Sequence, residues 1–84
     1  MNWYVYIAKS RLDFYYTGIT NNPEKRILKH NNGQGSQMAK QQGPFVLMYV
    51  SPEFPNKSEA RKREDQIKGW TRYKKEKLIS GTWK

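Results

Sequence analysis

Two tyrosines, Tyr6 and Tyr16, are the first candidates for chemistry, because each lies in a run of aromatic and β-branched residues. If these runs form adjacent strands and both hydroxyls point to one side, the hydroxyls can meet at a single substrate group. Aromatic side chains in strands more often belong to a core, and that alternative stays open for each tyrosine. We expect Tyr4 and Tyr15 to lie on the opposite face and to serve as comparisons.

Arg26 and His30 stand four residues apart, a spacing that places both side chains on one face of a helix. A guanidinium matches a phosphate through two parallel hydrogen bonds, and an imidazole can relay a proton or bind an oxyanion. A solvated helix surface is the commoner explanation for such a pair taken alone. The pair therefore indicates phosphate chemistry only in company with other residues.

Glu64 is the sharper signal, because it shares a helical stripe with Ala60 and Ile67 and so occupies an inward face. A buried carboxylate is costly unless a cation or a hydrogen-bond donor meets it. A salt bridge to a surplus cation is one explanation. A divalent metal is the other, since carboxylate oxygens suit hard ions such as Mg²⁺.

Composition limits the classes of function. The chain has 84 residues, which predicts one domain over residues 1–84 with a shallow site. Its 16 Lys and Arg against 7 Asp and Glu give a net charge of +9 and indicate an anionic partner, either nucleic acid or acidic lipid. The lack of cysteine excludes disulfides and thiolate chemistry and favours the cytoplasm. No apolar run reaches the roughly 20 residues of a membrane span, and the start does not resemble a secretory signal.

The strands that must position these residues follow from the aromatic and β-branched runs. Residues 3–8 and 14–19 are predicted to form a β-hairpin. Residues 45–50 are predicted to be a central strand, because both of its faces are apolar. Gly18 is anomalous inside the second strand, where glycine usually marks a bulge or a close approach to the backbone.

Helix signals complete the predicted fold. The predicted helices run from Pro23 to about His30, from Glu59 to Lys68 with Ser58 as N-cap, and from Tyr73 to Ser80. A polar loop is expected over residues 31–44. The order ββαβαα predicts an α/β fold with a small three-stranded antiparallel sheet flanked by helices.

Taken together, these residues resemble one family. The sequence resembles the GIY-YIG nuclease superfamily, and more closely its small single-domain bacterial branch. The residues that carry the resemblance are Tyr4-Val5-Tyr6, Tyr16-Thr17-Gly18, Arg26, His30-Asn31 and Glu64. The resemblance runs from about residue 3 to residue 79. Tyr4 replaces the first glycine of the name motif and Thr17 its isoleucine, whereas both tyrosines and Gly18 match.

The resemblance implies metal-dependent hydrolysis of a phosphodiester at a shallow site on the sheet. Glu64 would hold one Mg²⁺ or Mn²⁺, and Arg26 would clamp the phosphate. Tyr6 or Tyr16 would help to deprotonate the attacking water, and His30 would orient groups or relay the proton. Because tyrosine has an ordinary pKa near 10, nearby cations or another proton acceptor must assist it.

The expected substrate is DNA rather than RNA, cleaved in a structure-specific, repair-related reaction in the cytoplasm, with nucleoid association when DNA is bound. The residues expected to contact nucleic acid are Gly18, Lys29, Arg61, Lys68, Lys74 and Lys75. Target choice must come from the 31–44 loop, the basic last helix, a homodimer or a targeting partner protein. The alternative is a basic binding module without useful turnover. A membrane-surface role is disfavoured, because no segment pairs a strong apolar face with a basic one.

Overall fold

A computed structural model describes residues 2–31 and 44–81, apart from the side chain of His30. The strands are β1 (Tyr4–Lys9), β2 (Tyr15–Thr20) and β3 (Val46–Val50). The helices of this part are α1 (Pro23–Asn31), α2 (Lys57–Lys68) and α3 (Arg72–Ile79). The order ββαβαα and the antiparallel sheet confirm the predicted α/β fold. Most of the predicted 31–44 loop falls outside the described residues.

The strand order is β2-β1-β3, so β1 is central and the prediction of a central β3 is wrong. β3 is apolar along its length, yet Val46 is 59% exposed and Val50 38% exposed at its two ends. The four residues from Val5 to Ala8 in β1 are buried, as expected for a strand paired on both sides. An apolar run alone therefore did not distinguish an edge strand from a central one.

Helices cover both faces of the sheet. On one face Val5 and Ile7 pack with residues of α2 and α3 in a core completed by Ala60, Ile67 and Leu78. On the other face Tyr6 and Ala8 pack with Phe45, and Ile27 of α1 lies against them. The alternation of β1 thus separates an α2–α3 face from an α1 face. None of the helices in residues 2–31 and 44–81 has the length and apolar character needed to span a bilayer.

The helix starts show where the sequence signals were ambiguous. Asn22 caps α1 as predicted, with its Oδ1 accepting from the Lys25 amide at 3.1 Å. α2 is capped by Asn56 rather than by Ser58, and its Oδ1 accepts from the Glu59 amide at 2.9 Å. Asn caps about as well as Ser, so two nearby candidates were equally plausible. α3 begins one residue earlier than predicted because Thr71 is its N-cap.

The β1–β2 turn is tied to α3 by charge. Asp13 has a left-handed backbone, with φ of 70°, and its carboxylate lies 3.1 Å from Lys9 Nζ and 3.0 Å from Arg72 Nη2. Arg72 Nη1 also donates to the Asp13 carbonyl at 2.6 Å. Ser10 Oγ accepts from the amides of Leu12 and Phe14, each at 3.2 Å. These contacts fix the turn between β1 and β2 against the last helix.

The Asp13 contacts predict a measurable pH dependence of stability. Hydrogen bonds from Lys9 and then Arg72 hold the pKa of Asp13 below its ordinary value. This contribution to stability is fully present above the unfolded pKa of about 3.9 and is lost as the pH falls through the lower folded value. Asp13→Asn should therefore narrow the difference between the urea midpoints at pH 7 and pH 3.

Asn is a suitable replacement because it tolerates positive φ. Asp65→Asn is the matched control, since Asp65 is exposed on α2 and forms no ion pair within the described residues. The control should keep the pH dependence of the unchanged protein. An Asp13→Asn variant that also kept it would contradict the assignment.

Candidate active site

Tyr6 and Gly18 face each other across the β1–β2 ladder. A Cβ atom added to Gly18 would lie 2.6 Å from Tyr6 Oη and 2.8 Å from Tyr6 Cζ. The ring of Tyr6, which is only 6% exposed, therefore occupies the space that a side chain at position 18 would need. The close approach indicated by the sequence is made by a tyrosine of the same chain. A contact between Gly18 and nucleic acid stays a prediction.

Arg26 reaches the same point from α1. Its Nε lies 3.4 Å from Tyr6 Oη and donates to it. The terminal Nη groups of Arg26 make no hydrogen bond or ion pair within the described residues, and the residue is exposed. These groups remain available for a bidentate contact with an anion. The structure thus brings together Tyr6, Gly18 and Arg26.

Tyr16 lies on the α1 face with Tyr6, which meets the condition set for a shared site, and its ring packs edge-on against Phe45 at 5.4 Å between centroids. Tyr15 packs on the opposite face, also as predicted. The expectation for Tyr4 is wrong, because Tyr4 stands two residues from Tyr6 and strand alternation gives both the same face. Tyr4 lines a cavity with α1 residues, and its hydroxyl donates to Glu53 at 2.9 Å. That hydrogen bond is the main cause of its raised pKa.

Glu64 is buried in α2 with Ala60 and Ile67, which confirms the predicted inward stripe. It is 9% exposed, and its Oε2 lies 3.5 Å from Lys68 Nζ. Oε1 makes no hydrogen bond or ion pair within the described residues. The Lys68 side chain is 54% exposed, so water screens this pair and leaves the carboxylate only partly compensated. Both explanations of Glu64, an ion pair and a metal, thus keep a physical basis.

Glu64 and the two tyrosines lie on opposite faces of the sheet. α2 packs against β2 and β1, while Tyr6 and Arg26 lie on the α1 face. An open cavity of about 300 Å³ joins the two sides at the end of β2. Its walls include Ile19, which packs on the α2–α3 face, and Arg26, which contacts Tyr6. Glu64 does not line this cavity, so among the described residues the structure groups Arg26 with Tyr6 there and places Glu64 apart from them.

The predicted cations are distributed over all three described helices. Lys29 lines the cavity beside Arg26, and Arg61 lines a second cavity with Lys57 on α2. Lys74 and Lys75 lie on α3, and Lys75 is half-buried. The backbone of His30 belongs to α1, but its side chain lies outside the described residues.

Of the residues that line the cavity at the end of β2, only Arg26 and Lys29 were predicted as site residues, and the polar side chains of Asn21 and Lys25 were among those missed. The signal for Lys25 was present, because it stands four residues before Lys29 on α1 and therefore shares its face. Asn31 was also missed as a structural residue. Its side chain accepts from the Phe45 amide at 2.5 Å and donates to the Phe45 carbonyl at 3.0 Å, tying the end of α1 to the start of β3.

A family model described as the GIY-YIG catalytic domain matches residues 2–77. The chain belongs to the GIY-YIG family. A UPF0213 protein of Staphylococcus saprophyticus is 51% identical over 77 residues, which cover 92% of this chain and 93% of that protein. The solution NMR structure of a UPF0213 protein from Bacillus halodurans is 41% identical with a TM-score of 0.59, covering 95% of this chain and 84% of the other. An NMR structure from E. faecalis is 30% identical with a TM-score of 0.64, covering 98% and 86%.

GIY-YIG nucleases generally use divalent metal ions. The relevant question is therefore whether the side chains of this domain can bind one. The described residues contain no group of three or more His, Cys, Asp or Glu side chains able to hold an ion. The partly compensated carboxylate of Glu64 fits an ion held by one protein ligand. Mg²⁺ is commonly bound in this way, through one or two carboxylates with water and substrate phosphate.

Proposed function

We propose that this GIY-YIG domain is a metal-dependent endonuclease that hydrolyses phosphodiester bonds in DNA. The supporting observation is the contact of Tyr6 Oη with both Gly18 and Arg26 Nε. It places a phenol oxygen and a guanidinium at one point on the strand pair β1–β2. Membership of the GIY-YIG family supports a nuclease role for these groups.

Each residue has a task that suits its contacts. The Nη groups of Arg26 bind the scissile phosphate. Tyr6 Oη accepts a hydrogen bond from Arg26, so the hydroxyl hydrogen of Tyr6 can donate to the attacking water or to a phosphate oxygen. Tyr6 therefore positions the group that accepts this second hydrogen bond. Tyr16 then takes part in removing the water proton, with His30 as the relay.

Glu64 would hold one Mg²⁺ or Mn²⁺ ion. When bound, such an ion supplies positive charge to the phosphate and to the leaving oxygen. The partial compensation of Glu64 by the exposed Lys68 supports this role.

The cations other than Arg26 hold the phosphate backbone on either side of the cleaved bond. Lys25 and Lys29 line the cavity beside Arg26 and would bind the phosphates next to the cleaved one. Arg61, Lys68, Lys74 and Lys75 form the wider basic rim. A structure-specific, repair-related role, a homodimer or targeting partner, and a cytoplasmic, nucleoid-associated location stay predictions from the sequence.

Conservative replacement of the tyrosines tests this proposal. Tyr16→Phe should lower the single-turnover cleavage rate of labelled DNA by about 100- to 10,000-fold, as expected for loss of an acid–base group. Tyr6→Phe should lower it by about 100-fold, as expected when a reacting group is no longer held in position. DNA affinity measured in chelator should stay unchanged, because neither hydroxyl is a charge contact.

Tyr15→Phe is the matched control. Tyr15 adjoins Tyr16 in sequence but faces the other side of the sheet, where its hydroxyl donates to Glu76 at 3.2 Å. Its cleavage rate should stay close to that of the unchanged protein. Equal losses in the Tyr15→Phe and Tyr16→Phe variants would refute the role given to the α1 face.

A further inference from the structure

The β1–β2 turn presents two apolar side chains to solvent. Phe14 is 55% exposed and Leu12 is 49% exposed. The backbone beneath them is fixed, because the Ser10 amide donates to the Phe14 carbonyl at 2.8 Å and Ser10 Oγ accepts from both of their amides. Because the backbone that carries the exposed ring is already fixed, this part of the chain loses little backbone entropy on binding a ligand.

A cavity of about 320 Å³ adjoins the Phe14 ring and is lined by Phe14, Tyr15, Arg72 and Lys75. Arg72 is occupied, because it pairs with Asp13 and Glu76 and lies 4.5 Å from the centre of the Tyr15 ring. Lys75 makes no ion pair within the described residues and is half-buried. The cavity therefore offers one aromatic face and one uncommitted cation.

We infer that this cavity is a subsite for an unpaired nucleotide, with its base stacked on Phe14 and its phosphate on Lys75. Base–aromatic stacking beside a basic groove is the usual way in which proteins hold single-stranded nucleic acid. The excess of cations over anions in the chain favours a polyanion over an uncharged partner. The inference rests on the proposed nuclease function, because it places unpaired nucleotides near the bond that is cut.

The subsite lies at the start of β2 on the α2–α3 side of the sheet, because Tyr15 and α3 residues line it. Phe14 stands two residues before Tyr16, a distance of roughly 7 Å along an extended chain. That length equals about two steps of a nucleic-acid strand at 3.4 Å each. The substrate class that fits is DNA with a single-stranded or flapped segment within a few nucleotides of the cleaved phosphodiester.

Binding measured in chelator tests the subsite without cleavage. Fluorescence anisotropy would compare a single-stranded oligonucleotide with a blunt duplex of the same sequence. Phe14→Ala should weaken single-strand binding by about 5- to 150-fold, the loss expected for one stacked base, while duplex affinity changes by less than about 2-fold. Phe14→Tyr should retain the affinity. Lys75→Ala should weaken single-strand binding and lower its salt dependence by about one unit of slope.

Leu12→Ala is the matched control, because Leu12 is similarly exposed on the same turn and lacks a π-face. No loss in Phe14→Ala, or equal losses on single strand and duplex, would overturn the inference. So would Phe14-dependent binding to phosphatidylserine vesicles with oligonucleotide binding unchanged. If the proposed nuclease function were wrong but the subsite correct, single-stranded DNA would bind in a Phe14-dependent way and would not be cleaved with any metal ion.

Discussion

Replacing Glu64 by Gln is expected to reduce the cleavage rate by at least about 1,000-fold. The amide keeps the shape that packs beside Ala60 and Ile67 but lacks the negative charge that would hold a divalent ion. Metal-ion stabilisation of a transition state is worth several kcal/mol, and each 1.36 kcal/mol is about tenfold in rate. The rate would be measured under single-turnover conditions with Mg²⁺ or Mn²⁺.

The stability of the same variant separates loss of chemistry from loss of fold. Glu64→Gln removes a screened ion pair with Lys68 and also removes the cost of burying a charge. Its thermal midpoint should therefore stay level or rise. Glu59→Gln is the control, since Glu59 is an exposed α2 carboxylate paired with Lys62 at 3.7 Å, and it should cleave normally. Full activity in Glu64→Gln, or an equal loss in Glu59→Gln, would contradict the account.

Gly18→Ala is expected to damage both activity and stability. Its Cβ would meet Tyr6 Oη at 2.6 Å, and the buried ring has to turn away from Arg26 to make room. Overpacking of this kind costs about 1–3 kcal/mol of unfolding free energy. Displacing a positioned group by about 1 Å lowers the rate by about 100-fold. Urea unfolding and single-turnover cleavage would measure the two effects.

Gly69→Ala is the control for adding a methyl group. Its Cβ would lie 3.6 Å from the nearest atom, an ordinary contact, and the glycine has φ of −80°. It should change the unfolding free energy by no more than about 0.5 kcal/mol. Adding Tyr6→Phe to Gly18→Ala removes the closest contact, so the double variant should be less destabilised than the sum of the two. A Gly18→Ala protein with unchanged stability and cleavage would show that the ring is free to move.

Local sequence patterns were sufficient for the elements and for the inward face of α2. The stripe of Ala60, Glu64 and Ile67 depends only on helical spacing, and the shared face of Tyr6 and Tyr16 depends on alternation within one hairpin. These features are decided by residues close together in the chain. They could therefore be predicted without knowledge of how distant segments pair.

Features set by long-range pairing could not be predicted. β1 and β3 are both apolar runs, and only the pairing of β1 with both other strands makes it the central strand. Gly18 was unusual in the sequence, but only the strand register shows that the ring of Tyr6 lies opposite it and requires a glycine there. The prediction of the α2 N-cap was wrong for a local reason, because Asn56 and Ser58 are both favourable N-cap residues.

The site was predictable in its residue types and less so in its surroundings. Arg26 and Glu64 were identified from spacing and burial, whereas the cavity beside Arg26 requires Trp3 and Ile19 to meet α1 residues around the end of β2. Phe14 was assigned to a strand by its aromatic character. The bonds of Ser10 instead keep it in the turn and leave its ring exposed.

The most direct test of the nuclease assignment is cleavage of end-labelled single-stranded, duplex, flapped and branched DNA and RNA. Each substrate would be incubated with Mg²⁺, with Mn²⁺ and with chelator, using the unchanged protein beside Glu64→Gln. The account predicts discrete products from DNA with unpaired segments, formed only with metal and absent with Glu64→Gln. Binding without cleavage of any substrate, or the same products from both proteins, would contradict it.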